Sequence, residues 1–184
     1  MSNEERTMAI LRKYTTKPNL IKHAMAVSAV MRHFARLKGE REEYWATVGL
    51  LHDIDYEQYP DEHCERLVNM LRNEGFDDQF IRSIQSHGYE ICTDVEPQSY
   101  MENILATVDQ LSGFVIACAL IRPEKLLSCV TLESMQKRWA IPSFASGTDR
   151  NRIMRQCERL GVTWDYMAQE TLKGMMPIAN KLGV

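Results

Sequence analysis

The stretch Leu20-Ile21-Lys22-His23-Ala24-Met25-Ala26-Val27-Ser28-Ala29-Val30-Met31-Arg32-His33-Phe34-Ala35-Arg36-Leu37 decides the fold class. At roughly 100° per residue, Leu20, His23, Val27, Val30, Phe34 and Leu37 share one side of a helix. Pro18 suits the start of that helix and Gly39 its end. Outward from it, almost every apolar stretch repeats at helical spacing and strict alternation is hard to find, so the chain reads as all-α. Helices are expected over about 3–14, 18–37, 40–52, 59–75 and 77–88, the last closed by Gly88 as a C-terminal cap. A loop over 89–97, with Asp94 and Pro97 as breakers, precedes a long helix over about 98–121. Short helices are expected near 124–128 and 131–139, then at 149–160 and 164–182. The last carries Trp164, Met167, Thr171, Met175, Ile178 and Leu182 on one side, a stripe that docks on a core. There is no repeat, low-complexity segment or linker, and 184 residues fit one domain spanning 1–184.

With 45% hydrophobic and 26% charged residues the composition is that of a packed globular chain rather than a disordered, fibrous or membrane protein. The 22 Lys and Arg against 25 Asp and Glu leave a net charge of -3, so no global basic field collects a nucleic-acid polymer or acidic lipid. Any anionic ligand must be gripped locally. The five cysteines, Cys64, Cys92, Cys118, Cys129 and Cys157, are odd in number, scattered and without a Cys-x-x-Cys pair. They read as buried thiols in a reducing compartment, not as a disulfide framework or a zinc knuckle. The N-terminus, Met1-Ser2-Asn3-Glu4-Glu5-Arg6, is polar, and the longest apolar run, Gly113 to Ile121, falls well short of the roughly 20 residues of a membrane span. A cytoplasmic location is expected.

All five histidines lie in the first half of the chain: His23, His33, His52, His63 and His87. His23 lies on the apolar side of its helix. His52 shares a face with Trp45, Val48 and Gly49, and Asp53 follows at the helix end. Asp109 interrupts Ile104-Leu105-Ala106-Thr107-Val108-Asp109-Gln110-Leu111 on a face with Leu105, Ser112, Ile116 and Leu120, so it points inward too. His63 falls on the Leu67 and Met70 side of its helix and His87 with Phe80 and Ile84, both within reach of the same cavity. His33, roughly 80° off the His23 face, reads as surface. A lone inward histidine is more often a hydrogen-bonded core residue than a ligand, but several of them with an inward aspartate are not. A buried carboxylate costs several kcal/mol unless compensated, and no Lys or Arg stands three or four residues from Asp109. A divalent cation between Asp53, Asp109 and neutral imidazoles resolves that cost. The mixed N/O set suits Mn, Fe, Co, Ni, Zn or Mg.

His23, then His52-Asp53, then Asp109, on different helices of an all-α chain, resembles the metal motif of the HD superfamily of phosphohydrolases. The likeness extends through Gly49-Leu50-Leu51-His52-Asp53-Ile54-Asp55, Ser86-His87-Gly88, Asp109-Gln110-Leu111-Ser112-Gly113-Phe114 and Arg122-Pro123. It is similar over most of its length to the small bacterial single-domain proteins of the HDIG or predicted HD hydrolase type. The resemblance implies an HD-type helical bundle in which His23, His52, Asp53 and Asp109 ligate a first metal. It further implies that Asp53 bridges to a second metal held by His63 and His87. One departure is Asp55, where the family signature often has Gly; it reads either as a contact to a metal-bound water or as a solvated loop aspartate.

The implied reaction is hydrolysis of a nucleotide or another small phosphate ester, with His52 and Asp53 at its centre and one or two divalent ions per chain. A divalent ion lowers the pKa of a bound water toward about 7 and neutralises charge building on phosphoryl oxygens. There is no Gly-x-Ser-x-Gly elbow, phosphate loop or dinucleotide fingerprint to suggest other chemistry. Ser143 to Arg150 forms a Gly-containing turn entering a helix, and Arg150 and Arg152 in the first turn are candidates for phosphate binding. A plain Thr-capped helix with solvated arginines explains the same residues. The competing function is a sensor or interaction domain that binds metal or nucleotide without turnover. Degenerate domains of this fold usually lack the ligands, and the full set here favours the enzyme.

Overall fold

Two 21-residue helices form the spine of the protein: α2, Pro18–Lys38, and α6, Tyr100–Leu120. The structure, a computed structural model, describes residues 3–184. Met1 and Ser2, the head of the polar N-terminus, lie outside the described residues. Around the spine run α1 (Asn3–Tyr14), α3 (Glu42–Leu51), α4 (Arg66–Asn73), α5 (Asp78–Gln85), α7 (Leu132–Trp139), α8 (Arg150–Leu160), α9 (Trp164–Met175) and α10 (Ala179–Leu182). No β-strand occurs among the described residues, only an isolated bridge between Tyr89 and Thr93. The all-α fold is that of the sequence reading.

Local chemistry explains the long helices. Proline at the first turn of α2 gives up an N–H that would lack a partner there, and Gly39, at φ 73, closes the helix by donating to Ala35 and Arg36 carbonyls. At the head of α6, Ser99 accepts from the Glu102 amide while the Glu102 carboxylate accepts from the Ser99 amide, a complete capping box. By length and composition α6 is apolar enough to cross a membrane, which the unbroken run Gly113–Ile121 understated. It lies instead inside the bundle against α2, α8 and α9, with Ile104, Leu105, Val108, Leu111, Phe114 and Val115 buried. Gly49 of α3 and Gly174 of α9 let those helices close on α2. A Cβ on Gly49 would meet the Ser28 Cα at 3.0 Å, and one on Gly174 the Val30 Cα at 2.9 Å.

Four expected elements differ, the first being the short helix near 124–128, where the chain runs through turns into a 3-10 helix, Leu127–Cys129. The helix over 59–75 is instead a 3-10 turn, Pro60–Glu62, followed by α4 from Arg66. His63 at ψ 143 and Cys64 at φ 67 break the helical path between them, so His63 is presented from a turn. The final helix is interrupted over Met176–Ile178, where Pro177 cannot continue the hydrogen-bond ladder. Gly88 is not a left-handed cap: α5 ends at Gln85, and Gly88 closes a 3-10 turn, Ser86–Gly88, without positive φ.

Candidate metal centre

Four side chains from three helices meet between the spine helices. His23 reaches in from α2, Asp109 from the middle of α6, and His52 and Asp53 from the end of α3 and the turn after it. His23 Nε2 stands 3.2 Å from His52 Nε2, 3.1 Å from Asp109 Oδ1 and 3.6 Å from Asp53 Oδ2. His52 Nε2 lies 3.3 Å from Asp53 Oδ2 and 3.4 Å from Asp109 Oδ1. The other oxygen of Asp53 faces a second group: Oδ1 lies 3.4 Å from both His63 Nε2 and His87 Nε2, which are 3.2 Å apart. The six sequence-selected residues thus form two sets, His23, His52, Asp53, Asp109 and Asp53, His63, His87, with Asp53 in both.

Hydrogen bonds behind the rings fix which nitrogen faces inward. His52 Nδ1 donates to the Gly49 carbonyl at 2.8 Å, and His87 Nδ1 to the Ile84 carbonyl at 2.6 Å. His63 Nδ1 donates to Asp55 Oδ1 at 2.8 Å. Carbonyls and carboxylates only accept, so these Nδ1 atoms carry hydrogen, and in the neutral rings of His52, His63 and His87 the inward Nε2 presents a lone pair. Lone pairs then converge on carboxylate oxygens, an arrangement that requires a shared cation or extra protons. The charge balance among the side chains says the same. Burial would lower the His52 pKa, but Asp53 and Asp109 outweigh it and hold it well above the ordinary value. Burial would raise the carboxylates, yet His52 and His87 draw Asp53 well down, and His23 and His52 draw Asp109 down. His63 is raised, burial opposing and Asp55 and Asp53 prevailing.

The donor set fits a divalent ion. Ligands about 2.1 Å from one ion lie about 3.0 Å apart at right angles and about 3.4 Å apart at tetrahedral angles. Apart from His23 to Asp53, at 3.6 Å, the separations above fall within that interval. A mixture of imidazole nitrogen and carboxylate oxygen suits the borderline first-row metals.

Several residues stand where sequence reasoning did not place them. Asp55, read as a solvated loop residue or a contact to metal-bound water, is fully buried; it orients His63 through Oδ1 and accepts the Leu67 amide through Oδ2 at 2.9 Å. Arg152, a candidate for phosphate, is also buried, its guanidinium donating to the carbonyls of Ala106, His87 and Tyr89. It braces the chain behind the site and supplies, from α8, the positive field on Asp109 that no residue of α6 provides; burial lowers its own pKa against that attraction. Arg150 spends its donors on the carbonyls of Trp139, Ile141 and Phe144 and lies over the Trp139 ring. The structure therefore brings neither guanidinium to the cluster as an anion grip. His33, expected at the surface, pairs with Glu170 at 2.7 Å because α9 covers that face of α2. Cys64 and Cys92, read as scattered buried thiols, touch with sulfurs 2.9 Å apart, and Cys92 is exposed. The Cys92 thiol is drawn down to about 7 by its hydrogen bond with Cys64, against burial and with help from His63.

Neither a curated protein nor a solved structure matches the chain. The model of the HD domain family matches residues 20–113, a segment that contains all six converging residues. Members of that family are generally metal-dependent hydrolases. Since the match spans just over half of the sequence, the chain belongs to the HD domain family.

Proposed function

We propose that the protein is a metal-dependent phosphohydrolase acting on a nucleotide or another small phosphate ester. The observation that carries this reading is Asp53, whose two oxygens face two separate sets of imidazole nitrogens. His23, His52, Asp53 and Asp109 would hold one divalent ion, and Asp53, His63 and His87 a second. Mn, Fe, Co, Ni, Zn and Mg all suit the donors. Such ions, when bound, supply Lewis acidity toward phosphoryl oxygen and an activated water.

The chain's own residues orient and shield. His52 and His87, with side chains 0% and 3% exposed, form the floor, whereas His23 and Asp53, at 24% and 20%, meet solvent. An ester therefore approaches from the His23 and Asp53 side. Among the described residues neither Asp53 nor Asp109 forms an ion pair with Lys or Arg; without metal their charge is balanced by protonated imidazoles alone, which leaves the pocket no cation to spare for a phosphate. Ester binding should accordingly depend on metal.

The test is Asp53→Asn, which keeps size while removing the charge shared by both sets. Turnover of an aryl phosphate or of nucleotide mono- and diesters, with Mn or Co added, should fall at least about a hundredfold. Helical content by circular dichroism should remain near wild type. Full turnover in a folded variant would refute the assignment of Asp53. A wild-type protein that binds metal yet hydrolyses no ester would mark the domain as a sensor instead.

A further inference from the structure

Behind the second set of ligands two sulfurs meet over a bare backbone. Cys64 follows His63, Gly88 follows His87, and a Cβ on Gly88 would overlap both Cys64 Sγ and Cys92 Sγ. The sulfurs lie 2.9 Å apart and belong to residues 28 positions apart in sequence. Each is held in place. Cys64 takes a left-handed conformation, φ 67, uncommon for a residue with a Cβ, and its carbonyl accepts from Gln85 Nε2 at 3.0 Å. Cys92 donates its amide to the Gly88 carbonyl at 2.9 Å. Cys64 is buried and Cys92 is exposed, so one thiol meets solutes and the other waits beneath it. His63 is not free to join them as a metal ligand: Nδ1 is committed to Asp55, and Nε2 faces Asp53 and His87.

We propose that Cys64 and Cys92 are a thiol–disulfide pair oxidised by hydroperoxides, and that the disulfide braces the half of the centre that carries His63 and His87. The bracing rests on the metal reading above; the thiol chemistry does not. The Cys92 sulfur attacks a peroxide oxygen, the O–O bond breaks, and the alcohol, or water where the oxidant is hydrogen peroxide, leaves with the thiol proton. Cys64 sulfur then attacks the Cys92 sulfenic sulfur, the S–O bond breaks, and hydroxide leaves as water with the Cys64 proton. Two thiols lose two electrons to one peroxide. An S–S bond is about 2.05 Å long, so the sulfurs need close by less than about 1 Å. The cross-link joins the turn bearing His63 to the loop that follows His87, limiting how far those two ligands can separate.

The full chain, reduced, desalted and loaded with Mn, would be treated with hydrogen peroxide, alkylated and mapped by peptide mass. The expected product is a Cys64–Cys92 linked peptide, reversible by dithiothreitol, with Cys118 and Cys157 still alkylated on unfolding. Finding both thiols alkylated, or Cys92 oxidised to sulfinic acid beside a free Cys64, would overturn the pair. Loss of Mn to a chelator should be at least about threefold slower from the oxidised than from the reduced protein, because the cross-link restrains local opening. Cys92→Ser and Cys92→Ala, surface replacements, should release Mn at the same rate before and after peroxide. Equal rates from both forms of the wild type would overturn the bracing. If the reduced protein binds no Mn, the metal reading and the bracing fall together, while the linked peptide still decides the thiol pair. A sulfur-to-cobalt charge-transfer band in the reduced protein with Co would identify a thiolate metal site and overturn the proposal.

Discussion

Asp55 stands two residues beyond Asp53, yet its oxygens look away from the lone pairs, one toward His63 Nδ1 and the other toward the Leu67 amide. It thereby sets the tautomer and angle of one imidazole and anchors the start of α4. Replacing such an outer partner of a metal-bound histidine usually weakens binding about 10- to 100-fold. Asp55→Asn can still accept the Leu67 amide but no longer offers a carboxylate to His63. On the proposed two-ion reading, its metal content, by elemental analysis after dialysis, should fall from two ions per chain toward one, with helicity unchanged; retention of both ions would show that His63 needs no such support. The sequence marked residue 55 as unusual but not which way its side chain turns, because its partners, 8 and 12 positions on, lie across turns where no helical spacing relates them. Arg152 makes the same point. Its place at a helix start suggested an anion, whereas its burial depends on carbonyls 46 and 65 positions away.

Among the elements, α6 has the most to hold, since it carries Asp109 and also forms the core of the bundle. Its N-terminus depends on Glu102, which is buried, accepts the amides of Gln98 and Ser99, and pairs with Arg82 at 2.5 Å. Burial would raise the Glu102 pKa, but those amides and Arg82 bring it below the ordinary 4.5. A carboxylate lowered in the folded state contributes stability fully present above 4.5 and lost as pH falls through its folded value. Glu102→Gln should therefore cost about 1 kcal/mol near neutral pH, with the gap to wild type narrowing below 4.5 in urea unfolding. A gap independent of pH would assign the loss to packing alone. The long helices were legible because their stripes persist for several turns and Pro18, Gly39 and Ser99 mark their ends. The approach to α4 was not: Pro60 and Leu67 looked like one helix, and only the demands on His63 and Cys64 pull the chain out of helical geometry.

At the scale of the whole molecule, the centre ties α2, α3, α6 and the turns beside α4 and α5 into one unit. An ion that binds only the folded protein, present at about 100 times its dissociation constant, adds about 2.7 kcal/mol. For a chain of this size that corresponds to roughly 5–10 °C in Tm. Chelation should lower the calorimetric Tm by that amount and addition of Mn should restore it; an unchanged Tm would mean that the imidazoles and carboxylates are content with protons. The helical bundle and the meeting of its six inward residues were foreseeable from periodicity and motif, but the Arg152 brace behind them was not, because it arrives late in the chain. That lateness has a consequence for synthesis. His23 and Asp109 are 86 positions apart, and the Arg152 bridge to the His87 carbonyl waits for α8. While the ribosome is still making α7, a nascent chain already displays its histidines without the clamp behind them. Contacts of such sequence separation form slowly, so this is the interval in which a chaperone or a wrong metal would find the protein open.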